Sequence, residues 1–310
     1  MPKFCWTPIP DRAILRPLKG ISRKVEASSP DLMGENLMDR NSEQVQDSGR
    51  QEENSTLKIP VVYYPPAGLK NLKKDAEGVF EVPSHEVALV LVDTWNGDDP
   101  EEGDEPPQYL KDAQAFLHAC RAHGVSVIHA PNHPVVDKYS QYQKIKETVQ
   151  DFMKDYPTKS ETPPFLSWPP QDSDVYRQAR QLRTAQPSAK HRMPERDISC
   201  FLTPLEDEFV LESYDEFRYV LWKQGVKLLL YVGGALNECM QHRDTGINRL
   251  AGMDRQRTAF TIVVLGDCSY AKVTPGLDVQ VMAQAMLEYF KCKITFVAHS
   301  KDVVFFPKPE

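Results

Sequence analysis

No stretch of this chain approaches the roughly 20 consecutive apolar residues that a membrane span needs. The start, MPKFCWTPIPDRAILRP, lacks the apolar centre of a secretory signal. A basic excess is missing too: 37 Lys and Arg stand against 44 Asp and Glu, a net charge of −7. An acidic chain without a basic stripe is a poor binder of nucleic acid or of an anionic membrane, and the clusters NLKK and RQAR sit among acids. The six cysteines, at 5, 120, 200, 239, 268 and 292, form no C-x-x-C pair. Their scatter argues against a disulfide frame or a zinc site and for free thiols in a reducing, cytoplasmic compartment. Residues 20–58 hold no Phe, Tyr or Trp. Such a segment cannot bury enough apolar area to offset its ordering entropy. Residues 1–58 therefore read as an N-terminal extension, disordered over 20–58, and 59–310 as one domain. The first 19 residues carry Phe4, Trp6, Ile9 and Leu15, which can pack on the body or on a neighbour.

What is present from about residue 80 onward is an alternation. EVALVLVD is a continuous apolar run ending in a carboxylate, the pattern of a strand buried on both faces. PQYLKDAQAFLHACRAHG has apolar residues at helical spacing and Gly124 as its stop. VSVIHAP reads as the next strand. The polar, Pro-rich stretch 131–207 follows, with helical character near 140–153 and 172–183. EFVLES, VKLLLYVGG, FTIVVLGD and KITFVAHS read as four more strands, and YDEFRYVLWKQG, NECMQHRDTGINRLAG and GLDVQVMAQAMLEYF as helices. Short strand–helix–strand connections force parallel pairing with right-handed crossovers. The expected architecture is a three-layer α/β/α sandwich, a doubly wound, mostly parallel six-stranded Rossmann-like sheet, preceded by the long extension.

Ligands in such a sheet sit beyond the carboxyl ends of the strands. There the sequence places Asp93, His129, Glu212, Gly233 to Cys239, Asp267 and His299. A Cys at a helix N-terminus meets partial positive charge and free N–H groups, which lower a thiol's pKa and can hold an oxyanion. Paired Gly233 and Gly234 let the backbone turn sharply and approach a ligand. Trp95, His129 and Asn237 are candidates for contacts with a substrate. A lone Cys is more often a small core hydrophobe, and an Asp after a strand more often a cap.

The order ALVLVDTWN, VSVIHAP, LLLYVGGALNECM and IVVLGDCSYA resembles the isochorismatase-like cysteine hydrolases over roughly residues 84–300. The resemblance implies a six-stranded parallel sheet and hydrolysis of a small amide or related C–N bond. It implies Asp93 as general base, Cys239 as nucleophile, and a cis peptide at Gly234–Ala235 with the N–H groups of Ala235 and Cys239 as oxyanion hole. It implies a small-molecule substrate and a homo-oligomer, with no cofactor, metal, nucleic acid or membrane as partner. The chain departs from the family at the third catalytic position, a Lys after strand three. EFVLES ends there in Glu212 and Ser213, Lys190 comes too early, and Lys223 ends a helix. A carboxylate beside Asp93 would raise pKa values, where a Lys would favour the thiolate. Leu236 also replaces the usual Thr before the Asn. Three functions follow: a cysteine hydrolase, a catalytically impaired relative kept for binding small molecules or for assembly, and a metal-assisted hydrolase using His133, Asp137 or His242. In the first, one of the histidines His129, His133 and His242 would stand in for the Lys.

Overall fold

A computed structural model describes residues 55–64, 75–99, 104–154, 177–178, 181, 196–250, 260–272, 276–293 and 295–307. It opens with an antiparallel hairpin of β1 (Thr56–Tyr63) and β2 (Ala76–Pro83). The six expected strands follow: β3 (Val87–Val92), β4 (Ser126–Ala130), β5 (Phe209–Val210), β6 (Leu228–Gly233), β7 (Thr261–Ser269) and β8 (Phe296–Ala298). They pair in parallel in the order β5-β4-β3-β6-β7-β8. Counting parallel strands alone, that is the doubly wound order 3-2-1-4-5-6, which reverses direction between β3 and β6.

The hairpin extends the sheet beyond β8, through Val62 opposite Val297, and β9 (Val304–Phe306) pairs with the start of β1. These three antiparallel strands were not expected from the sequence, and Thr56–Lys58, read as tail, belong to β1. The reason is register: Leu57 and Ile59 face the core and are fully buried, while Lys58 pairs with Glu81 at 3.2 Å on the other face. The remainder of the extension and most of the helical stretch expected at 172–183 lie outside the described residues.

Every residue of β3 and β6 is buried, as a strand covered on both faces requires. Val87, Leu89 and Leu91 join Leu110, Phe116 and Leu117 of α1 (Gln108–Ala122) in one core layer. Ala88, Val90 and Val92 join Phe217 and Leu221 in the other. Beyond α2 (Ser140–Lys154), that second layer is built on α3 (Tyr214–Lys223), two short helices α4 (Cys239–His242) and α5 (Ile247–Leu250), and α6 (Val279–Lys293). A buried Leu or Phe contributes about 1.5–3 kcal/mol, so the two layers hold the sheet rigid.

Two elements are shorter than their patterns. The strand expected at EFVLES is only Phe209–Val210, because the capping box of α3 takes over immediately: Ser213 Oγ accepts from Glu216 N, and Glu216 Oε2 accepts from Ser213 N at 3.0 Å. The helix expected over NECMQHRDTGINRLAG is two single turns. Arg243 leaves α4 at ψ 160°, and Tyr231 donates to the Thr245 carbonyl at 2.5 Å. Gly246 then folds so tightly that a Cβ would sit 2.7 Å from the Gln241 carbonyl oxygen. Tertiary contacts override helical spacing here. No helix among the described residues is long and apolar enough to cross a membrane.

Candidate active site

The crevice between β3 and β6 is where a doubly wound sheet binds its ligand. Asp93 ends β3 there, with its backbone at φ 44°, a left-handed conformation that Asp tolerates better than most residues. Its N–H reaches the Ala130 carbonyl at 3.3 Å, and its side chain is 1% exposed. Across the crevice Gly233 sits at φ 94°, and a Cβ on it would lie 2.4 Å from the Val92 carbonyl oxygen. Gly234 donates to that carbonyl at 2.9 Å, and a Cβ on it would strike the Tyr270 ring at 2.4 Å. Both glycines are therefore required by close approach as well as by the turn. The Gly234–Ala235 peptide is cis.

The turn that follows sets Cys239 as the first residue of α4. Glu238 and Met240 both donate to the Ala235 carbonyl, at 3.0 and 3.2 Å, and Gln241 Nε2 donates to the Leu236 carbonyl at 2.9 Å. The N–H groups of Ala235 and Cys239 donate to no backbone carbonyl among the described residues. The half-buried Cys239 thiol faces Asp93, whose carboxylate raises its pKa.

One residue the sequence reading did not single out completes the site. Arg243, one turn after Cys239, places Nε at 3.1 Å and Nη2 at 2.5 Å from Asp93 Oδ2. The signal was present as an i, i+4 pair of Cys and Arg, which puts both side chains on one face of a helical turn. Charge follows from this layout. Burial pushes the Asp93 carboxyl above the usual carboxylate range, against the neighbouring Cys239 thiol and the Arg243 guanidinium. Burial and the Asp93 carboxylate push the Cys239 thiol up, and Arg243 pulls it down. The resting cysteine is thus a thiol beside a proton acceptor. A four-residue helix is too short to supply the thiolate-stabilising field expected from the sequence. Oδ1 of Asp93 and Oδ1 of Asn132 are buried without a protein hydrogen bond, so each can accept one more proton donor.

The other sequence candidates are engaged elsewhere. Glu212 accepts from the Tyr142 hydroxyl at 2.8 Å, and the cation that acts on both Asp93 and Cys239 is Arg243. The repulsion expected from Glu212 is not among the leading influences on Asp93, whose main charged neighbour is Arg243. His129 turns into the sheet's other layer, where Nε2 meets Glu208 Oε2 at 3.0 Å and Arg121 grips the same carboxylate at 2.7 and 2.9 Å. Burial depresses its pKa, and hydrogen bonds from His129 and Arg121 hold Glu208 down at about 2 despite its burial. His129 is thus a structural group. Asn237 spends both amide ends on the backbone of Lys272, at 2.8 and 3.2 Å. Trp95, half-buried, bridges to Ile198 and lies under Arg196 at 5.6 Å. His133 pairs with Asp137 at 3.3 Å on the surface, and His242 is exposed. Asp267 binds the Ser300 N–H and hydroxyl, and Cys268 is a buried thiol of the core. Among the described residues no group of three or more His, Cys, Asp or Glu gathers to hold a metal.

A comparison with family models finds no match, nor does one with curated proteins. Solved structures do match. Its structural neighbours are isochorismatase-family cysteine hydrolases. They include a cysteine hydrolase from Pseudomonas syringae pv. phaseolicola 1448A, at 18% identity and a TM-score of 0.42, covering 71% of this chain and 91% of that one. An isochorismatase from Pseudomonas putida KT2440 matches at 14% and 0.37, covering 71% and 91%. N-carbamoylsarcosine amidase from Thermoplasma acidophilum matches at 13% and 0.36, covering 70% and 98%. At these identities nothing about a reaction carries over, and the chemistry rests on this chain's own residues.

Proposed function

We propose that the chain is a cysteine hydrolase of the isochorismatase-like kind, acting on a small amide or related C–N bond. The observation that carries this is the convergence of Cys239, Asp93 and Arg243 at the crevice, with Asp93 paired to Arg243 and facing the thiol. Asp93 takes the thiol proton as Cys239 Sγ attacks the carbonyl carbon. The oxygen that becomes negative faces the N–H groups of Ala235 and Cys239. The C–N bond then breaks, and Asp93 returns the proton to the leaving nitrogen. Water attacks the thioester and gives its proton to Asp93, the acid departs, and the proton returns to sulfur. Arg243 does not transfer a proton at any step, since a guanidinium stays charged. It supplies a fixed cation in the role the resemblance gives to a lysine, and both proton transfers fall to Asp93. A carboxyl raised by burial suits that double duty. The same reading expects a reducing, cytoplasmic compartment, from the scatter of the six cysteines along the sequence.

A second reading, a small-molecule-binding or assembly protein, is favoured by the raised pKa of the Cys239 thiol. One experiment separates the two. The protein is incubated with a pool of small primary amides and ureido compounds, quenched in acid and weighed intact. An acyl adduct that maps to Cys239 and is lost in Cys239→Ser supports the hydrolase and identifies the acyl group by mass. Binding detected by calorimetry, with no adduct and no ammonia released, supports the second.

A further inference from the structure

Buried polar atoms in a folded chain nearly always find a partner. Among the described residues four buried side-chain atoms have none, and two of the four lie at the candidate active site: Oδ1 of Asp93 and Oδ1 of Asn132. Asp93 follows β3, and Asn132 comes just after Ala130, the last residue of β4. The two strands are paired, with Val92 opposite Ala130. The Asn132 backbone comes close enough to the Asp93 carboxyl to pull its pKa down. The Asn132 carbonyl accepts from the Val135 N–H at 2.8 Å, and Val135 and Val136 are fully buried, so the loop that carries Asn132 is pinned. Arg243 occupies Oδ2 of Asp93. Two bare acceptors are left beside the Cys239 thiol, on neighbouring strand ends about 4.8 Å apart. An atom that gives two hydrogens to two oxygens, each about 2.9 Å away, spans roughly 4.6–5.0 Å, whether it is a water or an amide nitrogen.

We propose that Asn132 and Asp93 together hold first the leaving nitrogen and then the hydrolytic water, so that the scissile nitrogen of the substrate carries two hydrogens. The assignment rests on the cysteine hydrolase reading of the same site. An unsubstituted amide or ureido nitrogen gives one hydrogen to Asn132 Oδ1 and the other to Asp93 Oδ1. As Cys239 Sγ bonds to the carbonyl carbon, its proton passes to Asp93. The C–N bond breaks, that proton moves to nitrogen, and ammonia leaves. Water enters the space so vacated and offers one hydrogen to each oxygen. Asp93 takes one of them as the water oxygen bonds to the thioester carbon. The C–S bond breaks, Asp93 returns the proton to sulfur, and the free acid departs. Asn132 accepts a hydrogen bond at each stage and takes no proton, since an amide oxygen is an acceptor only. An N-alkyl amide has a single hydrogen to give and sets a carbon against the second oxygen, which stays buried and unpaired.

An activated ester tests this without knowledge of the natural acyl group. The full chain is acetylated with para-nitrophenyl acetate, whose nitrophenolate leaves with no nitrogen to be held. The adduct on Cys239 is followed by intact mass and peptide mapping in the wild type and in Asn132→Leu, which keeps a branched side chain without the acceptor. The expected result is acetylation within about twofold of the wild type and hydrolysis of the adduct slowed more than roughly tenfold. A merely structural role for Asn132 would slow both steps together. Asn132→Ala, which opens space instead of filling it, should show the same split, so the outcome does not hang on one variant folding. Amines then read the substrate class. At equal free-base concentration ammonia should intercept the wild-type adduct faster than dimethylamine does, and Asn132→Leu should lose that preference. Hydrolysis equally fast in variant and wild type, an equal loss of both steps, or a wild-type preference for dimethylamine would each overturn the proposal while leaving the hydrolase reading in place. A wild type in which Cys239 takes up no acetyl group would overturn that reading, and the proposal with it.

Discussion

Arg243 is the cation beside Asp93 and the Cys239 thiol. It reaches a carboxylate that is almost fully buried, so its removal leaves Asp93 uncompensated. Breaking a buried pair from one side costs about 3–5 kcal/mol, which sets the expected loss for Arg243→Ala in a urea melt. Arg243→Lys keeps the charge but gives up the two-pronged contact, and the loss should be smaller. The pH dependence carries a sign. Arg243 lowers the Cys239 pKa, so its removal takes that downward pull away. The alkylation rate of Cys239 against pH should therefore shift upward in Arg243→Ala. Glu212→Lys should leave that profile where it is, because Glu212 is bonded to Tyr142 instead. An upward shift missing from Arg243→Ala, or a downward one in Glu212→Lys, would mean that the cation at the site has been misassigned. The sequence announced Asp93 and Cys239 by their places after apolar runs. It did not announce Arg243, because a basic residue in a helical pattern usually belongs to a solvated face.

At the scale of elements, the end of β6 is the tightest joint in the fold. Gly233 faces a backbone carbonyl, which cannot move aside, and adopts a φ of 94° that a side chain strains. Gly234 faces the Tyr270 ring, which can move or be trimmed. Gly233→Ala should accordingly destabilise more than Gly234→Ala, whose overpacking is expected to cost about 1–3 kcal/mol. The double variant Gly234→Ala/Tyr270→Ala should lose less than the sum of its singles, since the second change removes the clash made by the first. Equal costs for the two glycine variants in denaturant melts, or strict additivity in the double, would contradict this account. The paired glycines were legible in VGG as a sharp turn. What each one approaches was not, because Val92 and Tyr270 come from strands far away in sequence.

For the whole molecule, the hairpin decides where the fold begins. Leu57 is fully buried, and Thr56, Leu57 and Lys58 pair with β9 on one side and β2 on the other. A chain starting at residue 55 should melt cooperatively near the full-length temperature. One starting at residue 59 loses a buried Leu, worth about 2–5 kcal/mol in a truncation to Ala, together with three residues of strand pairing, and should melt clearly lower. Indistinguishable melts for the two would show that the first residues of β1 contribute nothing.

By itself the sequence determined the parallel core and its functional edge. Six apolar runs separated by helical spacing leave little choice but a doubly wound sheet, and such a sheet fixes which strand ends face a ligand. Both are consequences of local period and short connections, which are written in the chain. Only the tertiary structure decided three things. It added β1, β2 and β9, antiparallel strands that lie outside the strand–helix alternation of the parallel core. It broke one helical pattern after Cys239, because contacts with Tyr231 and Asp93 outweigh the few tenths of a kcal/mol per residue that helical propensity offers. And it brought Arg243 to Asp93, 150 residues away in the chain. A buried carboxylate takes whichever cation the fold brings within reach, and sequence distance carries no information about that reach.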